Sequence, residues 1–123
     1  MENNNKLNKT EPTQDEKSQV KEISKYISND FSKTGIRSLI SGNDFNTLDE
    51  FKIYLTGKIK EMMDNKFSQL LNTLYLIDVD EEKVKELFTV KSGESIPERL
   101  AELIIERQLQ KYYLRQKYKR GEL

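Results

Sequence analysis

The chain has 123 residues, of which 21 are basic and 21 acidic, with 35% apolar and 34% charged. That length admits one domain, and the zero net charge removes the global field that draws a protein to nucleic acid. The absence of cysteine and histidine excludes a disulfide framework, a thiolate metal site and a cysteine nucleophile, and it removes the commonest general base and transition-metal ligand.

The first eighteen residues hold only Met1 and Leu7 as large apolar groups. Such a segment buries too little to offset ordering entropy, so residues 1–18 are expected to be a disordered tail, with a single helical domain over 19–120. Val20, Ile23, Ile27 and Phe31 then recur at three- and four-residue spacing with Tyr26 beside them. This stripe predicts an amphipathic helix over about 18–33, stopped near Gly35. Ile36, Leu39 and Ile40 suggest a short helix over about 36–41.

Thr47 followed by Glu50 fits a capping box, in which hydroxyl and carboxylate each satisfy an orphan backbone N–H. From Leu48, apolar residues keep helical spacing through Phe51, Leu55, Ile59, Met62, Met63, Phe67, Leu70, Leu71 and Leu74. One long helix over about 48–76 is expected, with Gly57 and Asp64-Asn65 as weak points where it could kink or break into two. Met62 and Met63 with the neighbouring Phe67 could make an adaptable binding surface, but at this spacing they read as core.

Asp80 suits an N-cap, Glu81 and Glu82 suit the positive end of a helix dipole, and Val79 and Val84 sit where a hydrophobic staple needs them. These residues predict a short helix over about 81–89. The same acids, with Asp78, could be taken for a divalent-cation site. The spacing is not that of an EF-hand loop, because Lys83 stands where its glycine belongs, so an acid-rich first turn is the better reading. Ser95 and Glu98 suggest another capping box, with Pro97 in the first turn. Nothing breaks the helix from there to about 119. No stretch alternates with period two. The expected fold is therefore all-α, a small bundle of three substantial helices and one or two short ones.

The last helix carries two apolar stripes when residues are placed 100° apart. One holds Leu100, Leu103, Ile104, Leu114 and Tyr118; the other holds Ala101, Ile105, Leu109, Tyr112 and Tyr113. A helix apolar on two sides is covered on two sides. Charge is also sorted along it: nine acids and four bases lie between Asp78 and Glu106, and six bases with no acid between Arg107 and Arg120. Arg107, Lys111, Arg115 and Lys119 form a ladder four apart, in which each adjacent pair repels by roughly 0.2–0.5 kcal/mol. The ladder either meets acids elsewhere in the fold or on a second subunit, grips phosphates, or lies in solvent.

The segments "LYLIDV" and "IPERLAELIIERQLQK" and their separation resemble a recurrent pattern in small all-helical cytoplasmic proteins of bacteria that have no assigned activity. The resemblance covers Leu48 to Lys119 and implies a helical bacterial protein, with no functional residue to carry over.

No apolar run approaches the ~20 residues of a bilayer span, and no apolar secretion segment stands at the N-terminus. The expectation is a cytoplasmic protein without cofactor, metal, membrane partner or evident small-molecule substrate. Its expected role is that of a non-enzymatic interaction or self-associating module, with a protein partner or a second copy held by Ile105, Leu109, Tyr112 and Tyr113. The alternative is a nucleic-acid-binding protein using Arg107, Lys111, Arg115, Lys119 and Tyr118. Paired tyrosines and bases can stack on and neutralise a single strand, but no RNP-type pattern, GXXG loop or zinc-finger spacing accompanies them. A carboxylate-based enzyme is a third class, for which no catalytic pairing is visible.

Overall fold

A computed structural model describes residues 11–36, 45–89 and 95–122. They form an all-helical bundle of α1 (Gln14–Lys33), α2 (Leu48–Asn65), α3 (Phe67–Ile77), α4 (Glu81–Thr89) and α5 (Ile96–Lys119). Among the described residues no helix is long and apolar enough to cross a membrane.

Helix α1 starts four residues earlier than its apolar stripe indicates, inside the segment expected to be a tail. Thr13 accounts for the early start. Its hydroxyl accepts from the Glu16 N–H at 3.1 Å, and the Glu16 carboxylate accepts from the Thr13 N–H at 2.9 Å. This complete capping box holds the first turn without help from the core. The helix ends as expected at Gly35, whose φ of +95° suits a residue without Cβ. Two reversed hydrogen bonds, Gly35 N–H to Ser32 O and Ile36 N–H to Phe31 O, close a Schellman motif that turns Ile36 into the core. The short helix expected over 36–41 otherwise lies outside the described residues.

The long helix expected over 48–76 is two helices. The buried series Phe51, Leu55, Ile59 and Met62 would place Lys66 next on the core face if the helix ran on straight. The backbone leaves the helical region at Lys66 instead (φ −142°, ψ 46°). The following turn rotates so that Leu70, Leu74 and Ile77 face inward. Hydrogen bonding continues across the kink, with Lys66 N–H on Met62 O at 2.7 Å and Leu70 N–H on Lys66 O at 3.0 Å. Gly57, the other expected weak point, lies inside unbroken helix. Only half of the Thr47 box forms. The hydroxyl takes the Glu50 N–H at 3.1 Å, while the Glu50 carboxylate reaches one residue too far and accepts from the Asn46 N–H.

Helix α3 ends on Asp78 in the left-handed region (φ 69°), a conformation Asp tolerates better than most residues. Three residues later α4 begins, its first turn capped by Asp80 Oδ1, which accepts from the Glu82 N–H at 2.9 Å. Helix α5 starts at Ser95, but the Ser95 hydroxyl makes no cap hydrogen bond, so the second expected box does not form.

Helix α5 is the centre of the bundle. It packs most extensively on α2 and also touches α1, α3 and α4. Leu100, Ala101, Leu103, Ile104 and Ile105 are all buried, so the two apolar stripes are covered on both sides along this half of the helix. Truncating any one of the large ones is expected to cost about 2–5 kcal/mol. Gln108 is buried on the same helix and donates through Nε2 to Asp30 of α1 at 2.8 Å, tying the two helices with a charge-assisted bond. Thr34 and Thr73 join the end of α1 to α3 through their hydroxyls.

Candidate functional site

The four residues expected to hold a partner do not share one accessible surface. Ile105 is 7% exposed and belongs to the core, which corrects its assignment as a contact residue. Leu109 and Tyr112 are half-buried and pack against the core. Tyr113 is exposed, yet its ring meets Tyr112 edge-on at 5.6 Å. Its hydroxyl accepts from Gln19 Nε2 of α1 at 3.1 Å. This stripe is thus mostly spent on joining α5 to its own bundle. Leu114 and Tyr118, on the other stripe, are exposed.

The basic ladder is largely turned inward too. Arg107 Nη2 donates to Asp78 at 3.2 Å. Arg115 donates to Glu22 at 3.1 Å, and its guanidinium lies 4.0 Å from the centroid of the Tyr26 ring, a combined ion pair and cation–π contact. Lys111 stands between them. Burial, aided by the neighbouring Arg107 and Arg115, holds its ammonium below the usual lysine range, against the pull of Asp30 and Asp78. Lys119 is exposed. A phosphate strand on this edge would have to displace Asp78 and Glu22 from two of the four cations. The acidic half of α5 is matched as well, since Glu102 accepts from Lys52 at 2.6 Å and from Arg99 at 3.0 Å.

In the acidic run Asp78, Asp80, Glu81 and Glu82, the first two have separate tasks. Asp78 pairs with Arg107 and Asp80 caps α4. Among the described residues no group of three or more acids is arranged to hold a metal ion.

A different surface stands out once the helices are in place. Helix α3, FSQLLNTLYLI, has no charged residue, in a chain of which 34% is charged. Its inner face supplies Leu70, Leu74 and Ile77 to the core, but Phe67, Leu71, Tyr75 and Leu76 are between 39% and 76% exposed. Helix α4 runs back alongside it, with Glu81, Val84, Lys85 and Phe88 on the near side at helical spacing. The two helices meet where Phe67 and Phe88 contact edge to face at 5.8 Å. Elsewhere they stand apart, and a cavity of 210 Å³ opens between them, lined by Leu71, Leu74, Tyr75, Val79, Val84, Glu81 and Lys85. None of the residues of α4 is buried. The result is an apolar hairpin groove with one acid and one base on its rim.

The residue spacing does not distinguish this groove from core, because an apolar stripe reads the same whether or not something covers it. The signal that was present is the run of eleven uncharged residues from Phe67 to Ile77, too apolar for a helix with one solvent face. Exposed apolar surface of this kind is found at interaction sites and at ligand-binding grooves. Glu81 and Lys85 are the charged residues among the groove's lining. Comparison of the chain with family models, with curated proteins and with solved structures finds no match.

Proposed function

We propose that this chain is a non-enzymatic helical module that works by binding protein, and that the α3–α4 groove is its contact surface. The observation that carries this reading is the charge-free helix α3, whose Phe67, Leu71 and Tyr75 stand in water beside Phe88 of α4. Exposed apolar area of this kind is costly to leave in solvent, at about 25 cal/mol per Å². Tyr113, Arg107 and Arg115 are weaker candidates, because α1 and the α3–α4 turn already use them.

A photo-crosslinking phenylalanine derivative placed at Tyr75, which is 76% exposed, tests the reading in living cells. Irradiation is expected to give a discrete protein adduct at this position and none at the exposed Lys25 of α1. The mass of the adduct identifies what sits on the groove. Equal, background-level labelling at both positions would remove the groove as an interaction surface.

A further inference from the structure

We propose that the occupant of the α3–α4 groove is a second copy of this chain, docked about a twofold axis so that Lys85 of each copy faces Glu81 of the other. This rests on the interaction reading above and adds the identity of the partner.

The argument comes from what a twofold axis demands of a surface. An isologous interface must be complementary to itself. A groove rimmed by charges of one sign would repel its own copy. Here Glu81 and Lys85 lie one turn apart on the same side of α4, both lining the groove. Reversing α4 against its own copy exchanges their positions and places opposite charges together twice. Helix α3 brings no charge to oppose this. Its exposed polar residues on the outer surface are the neutral Ser68 and Asn72.

The apolar parts are also disposed for reversal. The Phe67–Phe88 pair fills one end of the groove, while the other end, between Tyr75 and Val79, is open. A twofold axis through the middle sets the filled end of each copy over the open end of the other, and the rings cover the cavity. The exposed portions of Phe67, Leu71, Tyr75 and Phe88 amount to roughly 400 Å². That is about half of the ~800 Å² which each partner gives to a standard stable interface. The rim of Ser68, Asn72, Glu81 and Lys85 extends the same surface.

Charge exchange tests the geometry directly. Both rim residues are exposed, so Lys85→Glu and Glu81→Lys leave the core untouched, which circular dichroism checks. Sedimentation velocity of the full chain, from low micromolar to submillimolar concentration, is expected to show a monomer–dimer equilibrium. Each single variant places like charges face to face and is expected to weaken dimerisation by about tenfold. Mixing the two single variants is expected to restore association as a heterodimer, and the double variant is expected to restore it alone. A wild-type chain that stays monomeric throughout overturns the inference. So does a dimer indifferent to both exchanges, which would use another surface. A monomeric chain whose Tyr75 probe captures a different protein would overturn the second-copy assignment while leaving the interaction reading standing.

Discussion

Glu102 holds two cations on one carboxylate, Lys52 from α2 at 2.6 Å and Arg99 from its own helix at 3.0 Å. The hydrogen bond from Lys52, with Arg99 adding to it, keeps this carboxyl below the ordinary glutamate range in spite of partial burial. The unfolded chain has no such arrangement, so the group binds its proton more weakly when folded. Its contribution to stability is therefore full above the ordinary glutamate pKa of about 4.3 and is lost as pH falls through the depressed value. Thermal melts of the wild type and Glu102→Gln across a pH series should show a constant gap from neutral pH down to the edge of the carboxylate range. The gap should close in stronger acid. Because the carboxylate is 34% exposed, the gap is modest, and added salt narrows it. A gap that widens on acidification would show that the pair is not what Glu102 contributes.

The helices themselves follow from apolar spacing where a stripe has one consistent cover. Helix α4 begins and ends where Asp80 and the Val79–Val84 spacing place it, and α5 runs from Ile96 to Lys119, one residue longer than read. The departures have local causes. Thr13 with Glu16 starts α1 before its first apolar residue, a capping signal that outranks the polar composition around it. The long helix breaks at Lys66, directly after the expected weak point Asp64-Asn65, where the core face of α2 arrives on a cation. The exposed face of α3 was hidden for a related reason, since Phe67 and Leu71 continue the core spacing and only tertiary packing leaves them uncovered. Element stability should divide along the same line. Helix α4 has no buried residue, whereas α5 is surrounded at Leu100 to Ile105. Amides of α4 should exchange with solvent by local opening, well before those of α5. Ile104→Ala, which removes fully buried side-chain volume, should lower global stability by about 2–5 kcal/mol. It should speed exchange in α5 while leaving α4 rates nearly unchanged. Equal acceleration of both helices would mean that α4 opens only with the whole bundle.

At the scale of the molecule the charge balance weighs against a polyanion as partner. The chain carries 21 bases and 21 acids, so no long-range field draws phosphate toward it. The local excess after Arg107 could still act at short range, but the fold directs Arg107 to Asp78 and Arg115 onto Glu22 and Tyr26. Lys111 lies half-buried between those pairs. What is left outward is Lys117, Lys119 and Arg120, the last already bridged to Glu122 at 2.6 Å. A site of this size neutralises few phosphates, and affinity for a charged strand scales with the number neutralised. Fluorescence anisotropy with single-stranded RNA and DNA at low salt is therefore expected to show no saturable binding. Lys111→Glu should make no difference to that result. Saturable binding that falls steeply with salt and disappears in Lys111→Glu would reverse the assignment. It would require that Asp78 and Glu22 release their arginines to the strand, and it would move the working surface from the apolar hairpin to the C-terminal half of α5.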